Sequence, residues 1–364
     1  MAHIAPQIPP CNAVSSNGHH AAVVLKGGIV QVCSVSREGA TFSRFPTFTT
    51  PRSINQIAFS ANGLYLVTSY EIHTESSTCV RTWCCLGKTW SSVGRTFKLP
   101  TRAISSIYSN GNSPRVLVLV SSTEKRSAVR PYDPKTGKST SVAAIGPASS
   151  RPDKGDLALV ISSDESFAVA GSALEIVLYR LHPFVALRAL TLGALPIFST
   201  LPTFDARTLT ICDNSVNFVV DDALPSSRHW TCSWPLDGGG VTAETITRMP
   251  PHHGAIYSRD GSSLALRRCA SVLVYDVCSG TPGGPPLVQD HRAFWVPAVA
   301  FVGNEGDFVL HVSAGSGAVS LWEVGRGRRV AETDVRGRLV GSVDEVGVNT
   351  CFRVSSRQRN SRLF

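Results

Sequence analysis

Residues 54–83 read INQIAFSANGLYLVTSYEIHTESSTCVRTW, and this stretch decides the fold. A first apolar run ends at Ala58-Phe59-Ser60, a turn follows at Ala61-Asn62-Gly63, and a second apolar run begins at Leu64. After a polar gap, a third run closes on Trp83. Three short runs separated by turn residues predict an antiparallel β-meander. Because the edges of so small a sheet must be paired or covered, the meander needs neighbours.

The same order of elements returns along the whole chain. The equivalent positions at the end of each first strand are Ser15, Ser60, Ser109, Ser162, Ala206, Ser258 and Val302. Their separations are 45, 49, 53, 44, 52 and 44 residues. This spacing is typical of four-stranded propeller blades. The sequence therefore predicts an all-β, seven-bladed β-propeller of four-stranded antiparallel blades.

Three kinds of residue carry a resemblance to a known family. One is the turn Phe59-Ser60-Ala61-Asn62-Gly63, with a relative at 257–261. Another is an aromatic residue that closes the third strand, found at Trp83, Tyr132, Tyr179, Tyr275 and Trp322. The last is His291, ten residues before Phe301. In these features residues 11–335 resemble the WD-repeat β-propeller family.

The chain also departs from that family. The Trp-Asp dipeptide is absent, because Trp83 precedes Cys84 and Trp322 precedes Glu323. The family's Asp-His-Ser-Trp hydrogen-bond tetrad is not assembled by the sequence of any blade.

The domain organisation follows from the repeat. We expect residues 1–10 to be a lead-in, residues 11–335 the propeller, and residues 336–364 a basic C-terminal extension. Within the extension, residues 339–344 either pair on the outer edge of blade 7 or start an eighth blade. The remainder of the extension is an edge strand or a disordered tail.

Composition limits the choice of function. The net charge is +9, but residues 325–364 hold nine arginines and four acids, so 9 − 4 = +5 of it lies in the last 40 residues. A basic end of this kind is more typical of a solvated tail than of a nucleic-acid groove, which leaves nucleic-acid binding as a third hypothesis. Charged residues make up only 17% of the chain and hydrophobic residues 43%, which argues for a large packed core.

The pattern of the ten cysteines favours a reducing compartment, in which thiols stay free. None forms a CxxC pair, which argues against zinc-ribbon and thioredoxin-like sites. The N-terminus shows no signal-peptide pattern, and the most apolar stretch, residues 184–195, is interrupted by Arg188 and is too short to span a bilayer. We expect a cytoplasmic or nuclear protein with free thiols and no membrane contact.

Two local motifs suggest chemistry. Thr136-Gly137-Lys138-Ser139-Thr140 is similar to the end of a phosphate-binding P-loop, but Tyr132 stands where that motif needs its first glycine. A hairpin turn is the favoured interpretation. The vicinal pair Cys84-Cys85 is either a redox switch or, as we favour, a pair of thiols without a role. The motifs predict no catalytic residue, no cofactor and no metal.

The resemblance implies that partners dock where the loop-rich face meets the central channel. The residues leading into each first strand line that face, and the candidates for partner binding are Arg52, Ser53, Arg102, His252, His253, Arg292, Phe294 and Trp295. Exposed aromatic residues beside arginine are typical of binding hot spots. Phe294 and Trp295 equally fit a packing role between blades 6 and 7. The pair His252-His253 is a poor metal site, because adjacent strand residues point to opposite faces.

The leading hypothesis is a non-enzymatic scaffold, a monomeric propeller within a larger complex. It binds a protein or peptide, and the arginines favour an acidic one. The alternative is a propeller enzyme, lactonase-like or hydrolytic, with its site in the central channel. Three or more acids or histidines clustered in the channel would favour the enzyme.

Overall fold

The computed structural model describes residues 12–15, 19–25, 28–36, 41–50, 54–72, 77–99, 103–110, 113–120, 126–141, 144–148, 158–172, 175–192, 209–221, 229–246, 255–268, 271–288, 298–302, 307–312, 318–333 and 339–342. Within these residues all the elements of regular secondary structure are β-strands. The strands form seven antiparallel sheets, and each sheet is built from strands that follow one another in the chain. The predicted seven-bladed all-β propeller is confirmed.

The first three blades contain fourteen strands. Blade 1 comprises β1 (Asn12–Val14), β2 (His20–Leu25), β3 (Ile29–Ser36), β4 (Thr41–Arg44) and β5 (Phe48–Thr49). Blade 2 comprises β6 (Gln56–Phe59), β7 (Tyr65–Ile72), β8 (Ser77–Leu86) and β9 (Thr89–Leu99). Blade 3 comprises β10 (Ala103–Asn110), β11 (Ser113–Val120), β12 (Arg126–Asp133), β13 (Lys138–Ser139) and β14 (Ala144–Ala148). In blades 1 and 3 the outermost strand is divided into two pieces that pair with the same third strand.

The remaining blades follow the same plan. Blade 4 comprises β15 (Ala158–Ile161), β16 (Phe167–Gly171), β17 (Glu175–Leu181) and β18 (Phe184–Thr191). Blade 5 comprises β19 (Thr210–Ile211), β20 (Ser215–Asp221), β21 (His229–Pro235) and β22 (Thr242–Ile246). Blade 6 comprises β23 (Ala255–Tyr257), β24 (Ser263–Arg268), β25 (Ser271–Asp276) and β26 (Leu287–Val288). Blade 7 comprises β27 (Ala298–Val302), β28 (Phe308–Val312), β29 (Val319–Glu323), β30 (Arg328–Thr333) and β31 (Leu339–Ser342), which pairs with β30 at the outer edge.

Two sequence assignments need correction. In blade 5 we expected residues 203–206, which lie outside the described residues, to be the first strand, and Leu209–Ile211 to be the second. The first strand is instead β19. We expected Trp230 and Trp234 in or after the fourth strand, but both lie in the third strand, β21. The turn after β19 is closed by Cys212, whose N–H donates to the Ser215 carbonyl, so the serine pattern is missing there. In blade 3 we expected Ser109 to mark the turn at the end of the first strand. Ser109 instead lies within the paired strands, opposite Pro114, because β10 continues to Asn110.

Each blade buries both faces of its sheet. In β11, Val116 and Val118 pack against blade 2, whereas Leu117 and Leu119 pack against blade 4, and all four are fully buried. This explains why the central strands are apolar almost throughout instead of alternating. Seven such clusters occupy the seven interfaces between neighbouring blades.

The ring closes between blades 1 and 7. Ala21, Val23 and Val35 of blade 1 pack against Leu310 and Leu321 of blade 7. A hydrogen bond from Arg44 Nη2 to Thr333 Oγ1, at 3.0 Å, joins the outer strands of the two blades. Among the described strands none is exchanged between these two sheets, so the contacts that the structure shows across the closure are made by side chains.

A buried serine closes the turn after the first strand in several blades. In blade 2 the Ser60 hydroxyl accepts from the Tyr65 N–H at 3.0 Å and donates to Asn62 Oδ1 at 2.7 Å. Ser162 and Ser258 make the same pair of bonds in blades 4 and 6. We call the side of the propeller that carries these turns the turn face. The opposite side, where the first strands begin, is the loop-rich face.

Glu165 departs from the serine turns of blades 2 and 6. It has a φ of 59° where those turns place Gly63 and Gly261, and a left-handed backbone costs a non-glycine residue about 1–2 kcal/mol. Its carboxylate accepts the N–H of Ala61 in blade 2 at 2.8 Å and the N–H of Ser109 in blade 3 at 2.7 Å. Glu165 therefore connects three blades at the centre of the turn face.

We expect the free energy of unfolding of Glu165→Gly to be lower than that of the wild type by about 2 kcal/mol. Glycine relieves the backbone strain, but two charge-assisted hydrogen bonds are lost, each contributing about 1.5–3 kcal/mol. Glu165→Ala keeps the strain and loses the same bonds, so it is expected to be the least stable of the three proteins. Urea unfolding measures the order. A Glu165→Gly protein as stable as the wild type would contradict the prediction, because the two bonds would then contribute no more than the strain that glycine relieves.

His311 is a buried polar residue in β28. It is fully buried, and neither ring nitrogen hydrogen bonds to any described part of the chain. The same is true of the indole nitrogen of Trp322. In blade 2 the residue equivalent to His311 is Thr68, whose hydroxyl accepts from Trp83 Nε1 at 3.0 Å. Burial lowers the pKa of His311 from 6.5 to about 4, because the charged imidazolium would lose its hydration.

This pKa shift predicts acid sensitivity. Below pH 6.5 the unfolded chain takes up a proton at His311, whereas the folded protein does so only near pH 4. The contribution of His311 therefore lowers the free energy of unfolding as the pH falls from 6.5 towards 4. We expect a loss of about 2 kcal/mol between pH 7 and pH 5. Urea unfolding across this range should show a shallower pH dependence for His311→Thr. The exposed His182→Thr is the control and should keep the wild-type slope. Equal slopes for all three proteins would contradict the prediction.

Candidate functional site

The first strands of the seven blades surround a central channel of about 400 Å³. Most of its lining is apolar, including Val14, Ile57, Val160, Ile256 and Val299. Polar groups in the wall include the hydroxyls of Ser106 and Thr210. A cavity of this size and composition lies within the range of ligand sites in proteins.

The two ends of the channel each carry an arginine. Arg259 lies at the turn face, where its Nε is 2.8 Å from Asp213 Oδ1 and both side chains are about half exposed. Arg267 lies at the loop-rich end, on the second strand of blade 6. Among the described lining residues there is no carboxylate, imidazole or thiol. Nor do the described parts of the chain contain three or more His, Cys, Asp or Glu side chains placed to hold a metal ion.

The partner-binding residues predicted from the sequence all lie outside the described residues. They are Arg52, Ser53, Arg102, His252, His253, Arg292, Phe294 and Trp295. They precede the first strands of blades 2, 3, 6 and 7 in the sequence, and they stay predictions.

The structure describes the other two motifs. Thr136 and Gly137 lie in the hairpin turn between β12 and β13, where the Gly137 N–H donates to the Asp133 carbonyl. Cys84 and Cys85 are free thiols at the end of β8. Burial raises the pKa of both, and the charge of Cys84 raises that of Cys85 further. This favours the unreactive thiol form.

A second cavity, of about 410 Å³, lies between blades 3 and 4 on the turn face. We call it the blade 3–4 pocket. It is lined by Tyr108, Arg115, Pro131, Thr140, Ser141, Leu181, His182, Pro183 and Phe184. The pocket could not be recognised in the sequence, because its residues come from five strands and the connections beside them and share no motif.

Strand register explains the polar side of this pocket. Tyr108 pairs with Arg115, and Asp133 pairs with Lys138. Arg115 and Asp133 flank the last β11–β12 pair, Val116 with Tyr132, so the same register places them opposite each other, with Arg115 Nη1 3.9 Å from Asp133 Oδ1. Directly opposed residues in a sheet project from the same face. Because Tyr108 packs in the core shared with blade 4, this row faces blade 4.

Pro131 explains why the pocket is open on its outer side. Proline has no N–H to offer to the ladder, so strands that pair with it are commonly interrupted. The Thr140 N–H still donates to the Pro131 carbonyl at 2.9 Å, after which the outermost strand leaves β12 and pairs again from Ala144. Thr140 and Ser141 lie at this interruption, and both are exposed.

Burial makes the phenol of Tyr108 still harder to ionise. It raises the pKa of Tyr108 to about 12, against the opposing effect of the Arg115 charge and with a smaller contribution from Glu165. The phenol is therefore neutral at physiological pH and retains its hydrogen-bond donor. Its ring packs edge-on against His182, with centroids 5.6 Å apart.

The comparisons with known proteins match this chain in structure and not in sequence. No protein-family model and no curated protein matches it. Hydrazine synthase from Kuenenia stuttgartiensis aligns with a TM-score of 0.57 and 11% identity, over 88% of this chain and 97% of that one. A protein from Lactobacillus plantarum aligns with a TM-score of 0.55 and 13% identity, over 81% and 87%. Kluyveromyces lactis Hsv2 aligns with a TM-score of 0.48 and 11% identity, over 74% of each chain.

The two alignments above a TM-score of 0.5 agree with the propeller fold. At 11% and 13% identity they show the fold alone. No helix among the described residues is long and apolar enough to cross a membrane.

Proposed function

We propose that this chain is a divergent WD-repeat-like propeller that binds a protein or peptide at the loop-rich end of its channel. The observation that carries the proposal is the lining of that channel. Apolar side chains from the first strands surround it, and Arg267 lies at the mouth beside Ile256. Arginine is enriched at protein-binding hot spots, and the apolar wall beside it offers surface that a hydrophobic side chain of the partner can cover.

Features of the blades support the likeness to WD repeats. The predicted closing aromatics lie in third strands, at Trp83, Tyr132, Tyr179, Tyr275 and Trp322. The hydrogen bond from Trp83 to Thr68 matches the pairing of Trp with a hydroxyl residue in the family's tetrad. The serine turns of blades 2, 4 and 6 correspond to the turn that first suggested the family.

Charge favours an acidic ligand. Arg267 lies at the channel mouth, and Arg52, Arg102 and Arg292 precede first strands in the sequence. Arginine binds carboxylates through two parallel hydrogen bonds, which gives direction as well as affinity. An extended segment with Asp or Glu beside an apolar residue fits this combination.

The test is affinity purification with mass spectrometry, followed by a binding measurement on the purified partner. We expect a recurrent partner that is retained by the wild type and is bound at least about tenfold more weakly by Arg292→Ala/Trp295→Ala. Arg267→Gln should weaken the same partner. A polyglutamate peptide should compete with it.

The matched control is Arg95→Ala, because Arg95 is exposed on the outermost strand of blade 2, away from the channel. Circular dichroism checks that each variant is folded. If both loop-rich-face variants bind the partner as tightly as Arg95→Ala does, this face is not the binding surface and the proposal is wrong.

A further inference from the structure

Arg115 occupies a second-strand position that holds no arginine or lysine in the other six blades. The equivalent second-strand residues in blades 1 to 7 are His20, Tyr65, Arg115, Phe167, Ser215, Ser263 and Phe308. Arg115 is the only arginine or lysine among them. The other blades close their turn face with aromatic, imidazole or hydroxyl side chains, so packing does not require a cation at this position.

The guanidinium of Arg115 is only partly satisfied. Its Nη1 donates to the Pro114 carbonyl at 3.1 Å and lies 3.9 Å from Asp133 Oδ1. Neither Nε nor Nη2 hydrogen bonds to any described residue. The side chain is 23% exposed, so much of its hydration is already lost. A half-buried guanidinium with unused donors is suited to binding an anion.

The charged side chains in the row beside the pocket carry a net positive charge, which favours a negative ligand. Asp133 is already engaged, because its Oδ1 accepts the Lys135 N–H at 2.9 Å in the turn. Lys138 follows Asp133 in the row, so the row carries two positive charges and one negative charge. The neutral Tyr108 phenol and the Thr140 hydroxyl add uncharged polar groups to the wall.

Blade 4 supplies the apolar side of the pocket. Leu181 is buried, Phe184 is half-buried and stacks on Tyr179 at 5.8 Å, and His182 and Pro183 are exposed. These side chains come from the hairpin between β17 and β18, opposite Arg115. An anion that carries an aromatic or aliphatic group would contact both sides at once.

We propose that the blade 3–4 pocket binds an organic carboxylate, with the carboxylate on Arg115 and its apolar group against His182 and Phe184. The ligand is either a small free carboxylate or an acidic side chain of a partner protein. This site is separate from the channel mouth, which opens on the opposite face, and it does not depend on the function proposed above.

Phenylacetate tests the first source, and the acetylated, amidated tripeptide Glu-Phe-Glu tests the second. Each is titrated into the isotope-labelled full chain, and the NMR amide signals of Thr140, Ser141 and Phe184 are followed. We expect saturable shifts with at least one probe. The matched neutral analogues, phenylacetamide and the Gln-Phe-Gln tripeptide, should give none, because they lack the charge that pairs with Arg115.

Arg115→Gln should weaken the response about tenfold, as expected for the loss of one charge-assisted pair. The control, Arg180→Gln, removes an exposed arginine from the neighbouring strand β17 and should bind like the wild type. A response to phenylacetate assigns the site to small carboxylates, and a response to the tripeptide alone assigns it to an acidic protein segment. Absence of any response, equal binding of the neutral analogues, or unchanged binding by Arg115→Gln overturns the proposal.

Discussion

Every feature of this protein depends on the fact that each blade must bury both faces of its sheet. Residues such as Val116 and Leu117 are neighbours in one strand, yet they belong to different cores. Burying such a side chain contributes about 1.5–3 kcal/mol, and only a complete ring supplies a neighbour for every face. The contact of Val23 and Val35 with blade 7 therefore completes the ring that the described strands form. The channel and both faces exist because the ring closes.

At the turn face, polar bonds add to the apolar packing between blades. Ser60, Ser162 and Ser258 satisfy the backbone of their own turns, which makes each turn a rigid local unit. Glu165 acts between blades, because its carboxylate accepts N–H groups from blades 2 and 3. It does so from a backbone conformation that glycine would adopt more easily. A strained residue persists where its surroundings determine its conformation, and here the hydrogen bonds to neighbouring blades do so.

The fold could be predicted because all seven blades need similar apolar strands and turns, so similar sequence features recur along the chain. Phe59 to Gly63 and the aromatics of the third strands were sufficient to identify most of the blades. Blade 5 was misassigned because Cys212 closes its turn, without the serine that marks the turns of blades 2, 4 and 6. The blade 3–4 pocket could not be predicted, because Arg115 and Asp133 become neighbours only through strand register. The partner-binding residues predicted on the loop-rich face, among them Arg292 and Trp295, lie outside the described residues.

In a propeller, the residues that differ between blades are more informative about binding than those that recur. Recurring residues such as Trp83 and Trp322 satisfy packing needs that all blades share. Arg115 satisfies none of them, since six other blades close the same position without a cation. Partial burial of a guanidinium is unfavourable unless its donors are used, and two of its three nitrogens are unused by the described residues. Beside Pro131, which opens the outer strand, the cation is left facing a cavity instead of a neighbouring blade. Cavity, unused donors and departure from the repeat occur together at this one position, and a bound anion accounts for all three.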